Sequence, residues 1–447
     1  MQLSNWGQYP EVNTTLHHVR TDEQARHILS SNPSLIARGL GRCYGDSALN
    51  DHAVLSSTCC DHLIDFDPAT GVLVCEAGVC LATLLRIFVP RGWFLPVTPG
   101  TSQVTVGGAV ASDVHGKNHH VAGTFCRHVL WIDLLSGEGN VLRCSPTENA
   151  ELFQATCGGQ GLTGIILRVA FRLVSISTAY IRQETVKTRN LEEIMDCFEH
   201  SAHWRYSVAW IDCLQTGAEL GRSIMIRGEH ADIVELDTIR TRAPLIAPDK
   251  FSFTVPINLP RFTLNTWSVK SFNAIYYGRH PEGTANRIVD LDSFFYPLDA
   301  VQKWNRIYGK RGFLQYQSVI PRAASLEGLT RILDRIARSG MGSFLAVLKL
   351  FGPQEENGGI LSFPMEGYTL ALDFPVKPAT FSLLDELDAM VLDYGGRLYL
   401  TKDARMSRAT FTRGYAKSID QFRRIKTTWD PGMRFISLQS KRLGIGG

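Results

Sequence analysis

No stretch of about 18 uncharged apolar residues, the length a helix needs to cross a bilayer, occurs in the 447 residues of this chain. Nothing is therefore expected to span a membrane. The opening MQLSNWGQYPEVNTT lacks both the basic start and the apolar core of a secretory leader, so the expected location is cytoplasmic, or peripheral at a membrane surface. An excess of one charge is missing too. Lys plus Arg number 46 and Asp plus Glu 43, a net +3, which is too little to draw nucleic acid, and no aromatic–basic RNA-binding pattern appears. Ten cysteines are present, yet none stand at C-x-x-C or zinc-ribbon spacing, and Cys59 adjoins Cys60. A disulfide framework or structural zinc is not expected, and free thiols in a reducing compartment are the simpler account. Internal repeats and low-complexity tracts are absent as well.

What the chain does have is glycine in loops. Thr98–His120 reads TPGTSQVTVGGAVASDVHGKNHH, in which Gly107-Gly108 removes Cβ atoms where a backbone must approach something flat or highly charged. A polar cluster follows at once: Asp113, His115, Lys117, Asn118, His119 and His120. A second glycine-rich stretch lies upstream, Ala37-Arg38-Gly39-Leu40-Gly41-Arg42-Cys43-Tyr44-Gly45-Asp46, and a third downstream, Gly158-Gly159-Gln160-Gly161-Leu162-Thr163-Gly164. One large phosphate-bearing cofactor explains three such loops better than three unrelated turns do, because glycines let several amides face a pyrophosphate without Cβ clashes. Arg38–Gly45 and Thr105–Gly108 are the candidate donors. The third loop fits G-x-G-x-x-G, but a dinucleotide loop of the Rossmann kind follows a strand and opens a helix. Here a helix (149–155) precedes and a strand (165–173) follows, so that geometry is rejected. His115 and His119 stand four apart, yet Gly116 argues against a helix there and no carboxylate or cysteine sits at ligand spacing, so no metal is expected.

In chain order, 21–31 reads as a helix capped by Thr21 with Gln24 three residues on. Leu35–Ala37 reads as a strand, 53–58, 62–67 and 72–78 as short strands, and 81–92 as a helix ended by Pro90 and Gly92. Strands at 129–135 and 141–144 flank a hairpin. From about 180 the texture changes: glycine loops disappear, and strands (206–212, 223–226, 314–320, 344–350, 368–374) alternate with helices (188–200, 324–338, 380–394), which predicts an antiparallel sheet flanked by helices. Pro244–Val269 is too broken by proline for a core helix. It reads either as a mobile flap shielding an apolar ligand at a membrane, with Arg242, Lys250 and Arg261 near lipid phosphates, or as edge strands packed on the second domain. Arg397–Thr401 is a further strand.

RGLGRCYGD, the Thr98–His120 stretch and ATCGGQGLTGII together resemble the FAD domain of the vanillyl-alcohol-oxidase-type (PCMH-type) flavoproteins. More narrowly, ASDVHGKNHH, VLKLFGP, LDFPVK, GGRLYLTKDAR and the WDP-x-x-RF tail resemble the decaprenylphosphoryl-β-D-ribose 2-oxidase family. The resemblance implies an α+β protein. Its FAD-binding domain (1–179) is completed by a C-terminal segment (397–447), with a substrate domain (180–396) inserted between them. It implies FAD-dependent oxidation of the C2′ hydroxyl of a polyprenylphosphoryl ribose to the 2′-keto sugar, with a separate NAD-dependent reductase completing epimerisation to the arabinose donor for cell-wall polysaccharide. The alternative enzyme is a sugar-alcohol or aldonolactone oxidase of the same superfamily, and a flavin-binding subunit without chemistry is a third reading.

By that resemblance the FAD contacts come from Ala37, Arg38, Gly39, Leu40, Gly41, Arg42, Cys43, Tyr44, Gly45, Asp46, Ser47, Gly100, Thr105, Val106, Gly107, Gly108, Ser112, Asp113, Val114, His115, Ile166 and Tyr399. Covalent relatives carry a flavin-linking His where this chain has Arg42, so the FAD is expected to be non-covalent. Cys43 stands where the family has Ser. Lys402 matches the family's catalytic lysine, with His115 orienting the substrate hydroxyl and Tyr44 lining the sugar pocket from the FAD domain. Gln315, Gln317, Lys349 and Ala371 line the sugar and phosphate pocket, Gln315 and Gln317 sharing one strand face because side chains alternate. Mycobacterial members have a cysteine where this chain has Ala371; if this chain is active, the shared chemistry does not require that cysteine.

Overall fold

Alternation along the strands builds the largest element, an antiparallel eight-stranded sheet. Its order is Thr284–Asp290, Tyr180–Thr188, Ser223–His230, Tyr206–Ile211, Ala346–Phe351, Gly367–Pro375, Phe313–Pro321 and Arg397–Leu398. The computed structural model describes residues 1–248, 252–260, 264–343, 345–353 and 358–446. On one face of this sheet Ala209, Ile211, Met225, Leu348, Leu370 and Leu372 are buried against the helices Leu191–Glu199, Ser325–Ser339 and Pro378–Asp393. The intervening residues, among them Val208, Trp210, Ile226, Val347, Lys349 and Ala371, point the other way and line a cavity.

Across that cavity lie two smaller sheets. Thr15–His18, Ala53–Ser56 and Leu35–Arg38 pair in parallel. Val141–Cys144, Val129–Leu135, Ile165–Arg172, Val72–Glu76 and Leu63–Asp67 form an antiparallel five-stranded sheet. A second core of Leu73, Ile132, Leu134, Val169 and Phe171 packs the five-stranded sheet against the helices Leu81–Phe88 and Ala150–Thr156. The fold is thus α+β with antiparallel sheets. The end of the chain returns to the parallel sheet, where the Ile436 amide donates to the Leu35 carbonyl at 3.0 Å. All ten cysteines are free. Among the described residues no helix is long and apolar enough to cross a membrane.

Several expectations shift by a few residues for visible reasons. The helix expected from 188 begins at Leu191, because Asn190 caps it by accepting the Glu193 amide at 3.0 Å. The helix expected over 81–92 ends at Phe88, and Pro90 falls in a single 3₁₀ turn. The strand expected over Arg397–Thr401 is only Arg397–Leu398. The chain then turns, with the amides of Lys402 and Asp403 donating to the Tyr399 carbonyl at 3.0 and 3.1 Å. Of the proline-rich stretch, Phe253–Thr254 pairs with Val301–Gln302. Thr266–Val269 opens the helix Thr266–Gly278, because the prolines stop at Pro260 and Asn265 caps the helix through the Trp267 and Ser268 amides. Lys250, Phe251, Arg261 and Phe262 of the expected flap, and Phe344 of an expected strand, lie outside the described residues.

Candidate active site

Two glycine-rich loops meet because neither carries side chains that would hold them apart. Leu35–Arg38 delivers the first. Arg38 fastens its start by donating to the Ser4 carbonyl at 2.8 Å and to Asn5 Oδ1, and Gly41 turns it with φ +63°. A Cβ at Gly39 would overlap the Thr105 hydroxyl of the second loop. Thr105 caps the helix Val106–Ala111 by accepting the Gly108 amide at 3.2 Å. The Val106 and Gly107 amides are spent on the Val79 and Ala77 carbonyls at 2.9 and 2.8 Å. The second loop therefore gives shape rather than donors. Among the described residues the amides of Leu40, Gly41, Arg42 and Cys43 donate no hydrogen bond within the protein, and all four residues line the cavity. Unpaired amides on a glycine turn are what a pyrophosphate needs, so the residues present fit FAD.

The cavity measures about 1500 Å³, larger than the ~300–1,000 Å³ common for a single small ligand. Nearly all the residues expected at the site line it. On the loop side they are Ala37–Tyr44, Ser47, Gly100, Thr105, Gly107, Gly108, Ser112, Val114, His115 and Ile166. On the sheet side they are Gln315, Gln317, Lys349, Ala371, Tyr399 and Lys402. Four expected contacts are not among its lining residues and instead hold the loops. Gly45 lies against Asp403 and Ala404, and Asp46 accepts from Arg442 at 2.8 and 3.0 Å. Val106 is fully buried in the core, and Asp113 accepts the Cys126 amide at 3.1 Å and the Ser362 hydroxyl. Residues without an expected site role also line the cavity, notably Lys117, Gln160 and Thr401. The Thr401 hydroxyl donates to Gln160 Oε1 at 3.2 Å, and Lys117 Nζ donates to the Phe294 carbonyl. Only the placing of Lys117 two residues after His115 hinted at its part.

The charges are arranged in one place. Lys117, Lys349 and Lys402 are partly accessible through the cavity but otherwise enclosed, and burial lowers the amines of Lys117 and Lys349 to about 7 and about 8. Burial also lowers Lys402. The Asp373 carboxylate opposes that shift, while Lys349 adds to it. Asp373 is fully buried. Burial raises it, whereas the Gln315 amide at 2.6 Å, the charge of Lys402 and the Tyr308 hydroxyl at 3.5 Å favour its ionised form. Lys402 Nζ rests 3.9 Å from the centroid of the Tyr44 ring. Burial, then the charge of Asp373, pushes the Tyr44 phenol well up, so it stays protonated.

His115 is neutral, driven well below its ordinary value by burial and then by Lys349, His119 and Lys402. Its tautomer follows from its neighbours. The Thr369 hydroxyl donates to the Ser318 carbonyl at 2.8 Å, so Thr369 Oγ1 accepts from Gln317 Nε2 at 3.1 Å. The same nitrogen lies 3.1 Å from His115 Nε2, which must accept. The proton then sits on Nδ1, a buried atom without a partner among the described residues. Arg42 stacks its guanidinium 4.2 Å from the Trp6 ring centroid. Among the described residues no cluster of three or more His, Cys, Asp or Glu could hold a metal ion.

Residues 22–145 match the FAD binding domain family. The chain is 40% identical over 414 residues to a decaprenylphosphoryl-β-D-ribose oxidase of Mycolicibacterium smegmatis, covering 92% of this chain and 89% of that one. It is 32% identical over 377 residues to an uncharacterized protein of Streptomyces coelicolor, covering 82% of this chain and all of the relative. Bovine L-gulonolactone oxidase is 29% identical over 180 residues, covering 39% of this chain and 40% of that enzyme.

Proposed function

This chain belongs to the decaprenylphosphoryl-β-D-ribose oxidase family, and we propose that it oxidises the C2′ hydroxyl of a polyprenylphosphoryl ribose to the 2′-keto sugar with FAD. The observation that carries this reading is a single buried set. Lys402, Tyr44, Asp373, Gln315, Gln317, His115 and Lys349 converge on one cavity whose opposite wall is the glycine turn with unpaired amides. When bound, FAD would supply the hydride acceptor, and the hydroxyl proton would leave to solvent through the open cavity. The Lys402 cation, steadied on the Tyr44 ring, would stabilise the negative charge that hydride transfer from the sugar carbon places on the acceptor. His115, neutral and accepting from Gln317 through Nε2, acts on the substrate hydroxyl by orienting Gln317, which lines the cavity. Gln315 holds Asp373, and Lys349 supplies positive charge for the sugar phosphate.

The keto product is chemically half of an epimerisation, and we assign the other half to a separate NAD-dependent reductase. Residues 1–179 with 397–447 form the FAD half and 180–396 the substrate half. The Ile436–Leu35 hydrogen bond supports that division, although Arg397–Leu398 hydrogen-bonds to the larger sheet. Peripheral membrane contact belongs to the same reading, supported by exposed Ile239, Ile246, Phe253, Ile257, Trp267 and Ile275. Mixing purified protein with a short-chain polyprenylphosphoryl ribose should bleach the visible flavin band. No bleaching with this sugar, together with bleaching by an aldonolactone, would move the protein to the other oxidase class. Because Arg42 cannot form the flavin–histidine bond, acid precipitation should release all the yellow colour into the supernatant; colour kept by the pellet would refute non-covalent binding.

The charges fix a pH dependence. Besides Asp373 and Lys349, Lys402 feels Cys43, whose thiolate would raise it, while the protonated Tyr44 phenol adds no charge. Its amine titrates below the ordinary lysine value of about 10.4, so flavin reduction should fall as pH rises through that lowered pKa. Asp373→Asn removes the carboxylate that supports the cation, so this falling limb should move to lower pH. An unmoved limb in the variant would show that Asp373 does not act on Lys402.

A further inference from the structure

The cavity does not end at the sugar-facing residues. Register places Gln317 opposite Ala371, Ala371 opposite Val347 and Val347 opposite Trp210. One row over, Val208 stands opposite Ile226 and Ile226 opposite Thr185, while Gln183 stands opposite Arg287 in the next row. All of these residues line the same cavity. Its floor therefore continues from Lys349 across four neighbouring strands to the sheet edge at Thr284–Asp290, roughly 19 Å at about 4.8 Å per strand. The character of the floor changes along that path. Cations and amides crowd the Lys349 end, whereas Val208, Trp210 and Ile226 beyond it offer no charge. The helix Thr266–Gly278 walls this part with Phe272 and Tyr276, the Tyr276 ring lying 4.7 Å from that of Trp210. No carboxylate appears among the described lining residues of this stretch. Arg279 and Arg287, both exposed, mark the open end.

We propose that this trough, from Val208 and Trp210 past Ile226 to the rim at Arg287, binds the isoprenoid tail of the substrate and carries it from the sugar pocket to the sheet edge. The inference rests on the oxidase reading for the identity of the tail. Its physical basis is independent of that reading: an apolar stretch of floor at Val208, Trp210 and Ile226, set between the polar pocket at Lys349 and a polar rim at Thr185, Gln183 and Arg287, suits a ligand with a polar head and an apolar chain, because burying each methylene is favourable.

Two measurements test it on the flavin-loaded protein. Benzophenone-tagged farnesyl phosphate, photolysed on the enzyme and mapped by peptide mass, should label the segments holding Val208–Trp210, Ile226 or Tyr276, and untagged farnesyl phosphate should compete. This readout needs no turnover, so it stands whether or not ribose is the sugar, whereas failure of the oxidase reading would show as wild-type flavin that no polyprenylphosphoryl ribose bleaches. Ile226→Trp fills the trough, and the preference in kcat/KM for a long-tailed over a short-tailed substrate should drop by at least about tenfold. Label confined to other segments, or a tail preference equal to that of the wild type, overturns the trough.

Discussion

Lys402→Ala leaves FAD bound and slows substrate-driven flavin reduction on the order of 10²–10³-fold, the usual effect of removing one preorganised group aimed at developing charge. The cavity holds three lysines, but they are not equivalent. Lys117 is tied to the Phe294 carbonyl, and Lys349 is assigned to the sugar phosphate. Lys402 alone is both steadied on Tyr44 and coupled to the buried carboxylate Asp373. Deleting it leaves the glycine turn and its unpaired amides untouched, so flavin content should match the wild type. Removing the amine also leaves Asp373 without its cation, which drives that carboxyl further toward its neutral form. Stopped-flow reduction, with flavin content read from the visible spectrum, separates rate from binding. A variant that reduces its flavin at near wild-type speed takes Lys402 out of the mechanism.

Gly45→Ala should slow the reaction by a different route, through the backbone. A Cβ at this position would overlap the Asp403 carbonyl oxygen and lie 2.6 Å from Ala404 Cα. Both are main-chain atoms, so no side chain can rotate away. They belong to the turn just after Lys402, and the Tyr44 amide is bonded to the Thr401 carbonyl at 3.0 Å in the same contact. Arg442 ties the two segments together again through Asp46 and Asp403. One methyl group therefore pries the loop that carries Tyr44 from the turn that carries Lys402. Overpacking of this kind costs about 1–3 kcal/mol, and the glycine turn moves with the loop. A lower urea midpoint, flavin lost on gel filtration and a rate as low as that of Lys402→Ala are the expected results. A variant with normal stability, flavin and rate would show that the two segments can separate without harm.

Much of the site was legible because its chemistry is local in the chain. Glycine-rich loops announce themselves by composition, and period-two alternation put Gln315 and Gln317 on one face, where the structure has them. Helix starts with side-chain caps, such as Thr21 before Asp22–Ser31, were readable for the same reason. Lys117 was not, since a lysine in a polar cluster looks the same whether it faces water or a carbonyl across the fold.

The sequence by itself determined that the chain has no membrane-spanning stretch, that it carries glycine loops of the FAD-binding kind, and that its second half is built on strands and helices. Those properties follow from residue type and short-range spacing. Tertiary structure alone decided which glycines give room and which border free amides, since the Val106 and Gly107 amides are consumed by carbonyls some 30 positions away in the chain. It decided that Asp373 stands by Gln315 and acts on Lys402, and that His115 keeps its proton on Nδ1, because both depend on partners brought together by strand register. It also decided that the cavity runs on from Lys349 to Arg287: neighbouring strands far apart in sequence lay their alternate residues on one face, a relation no window of the chain contains.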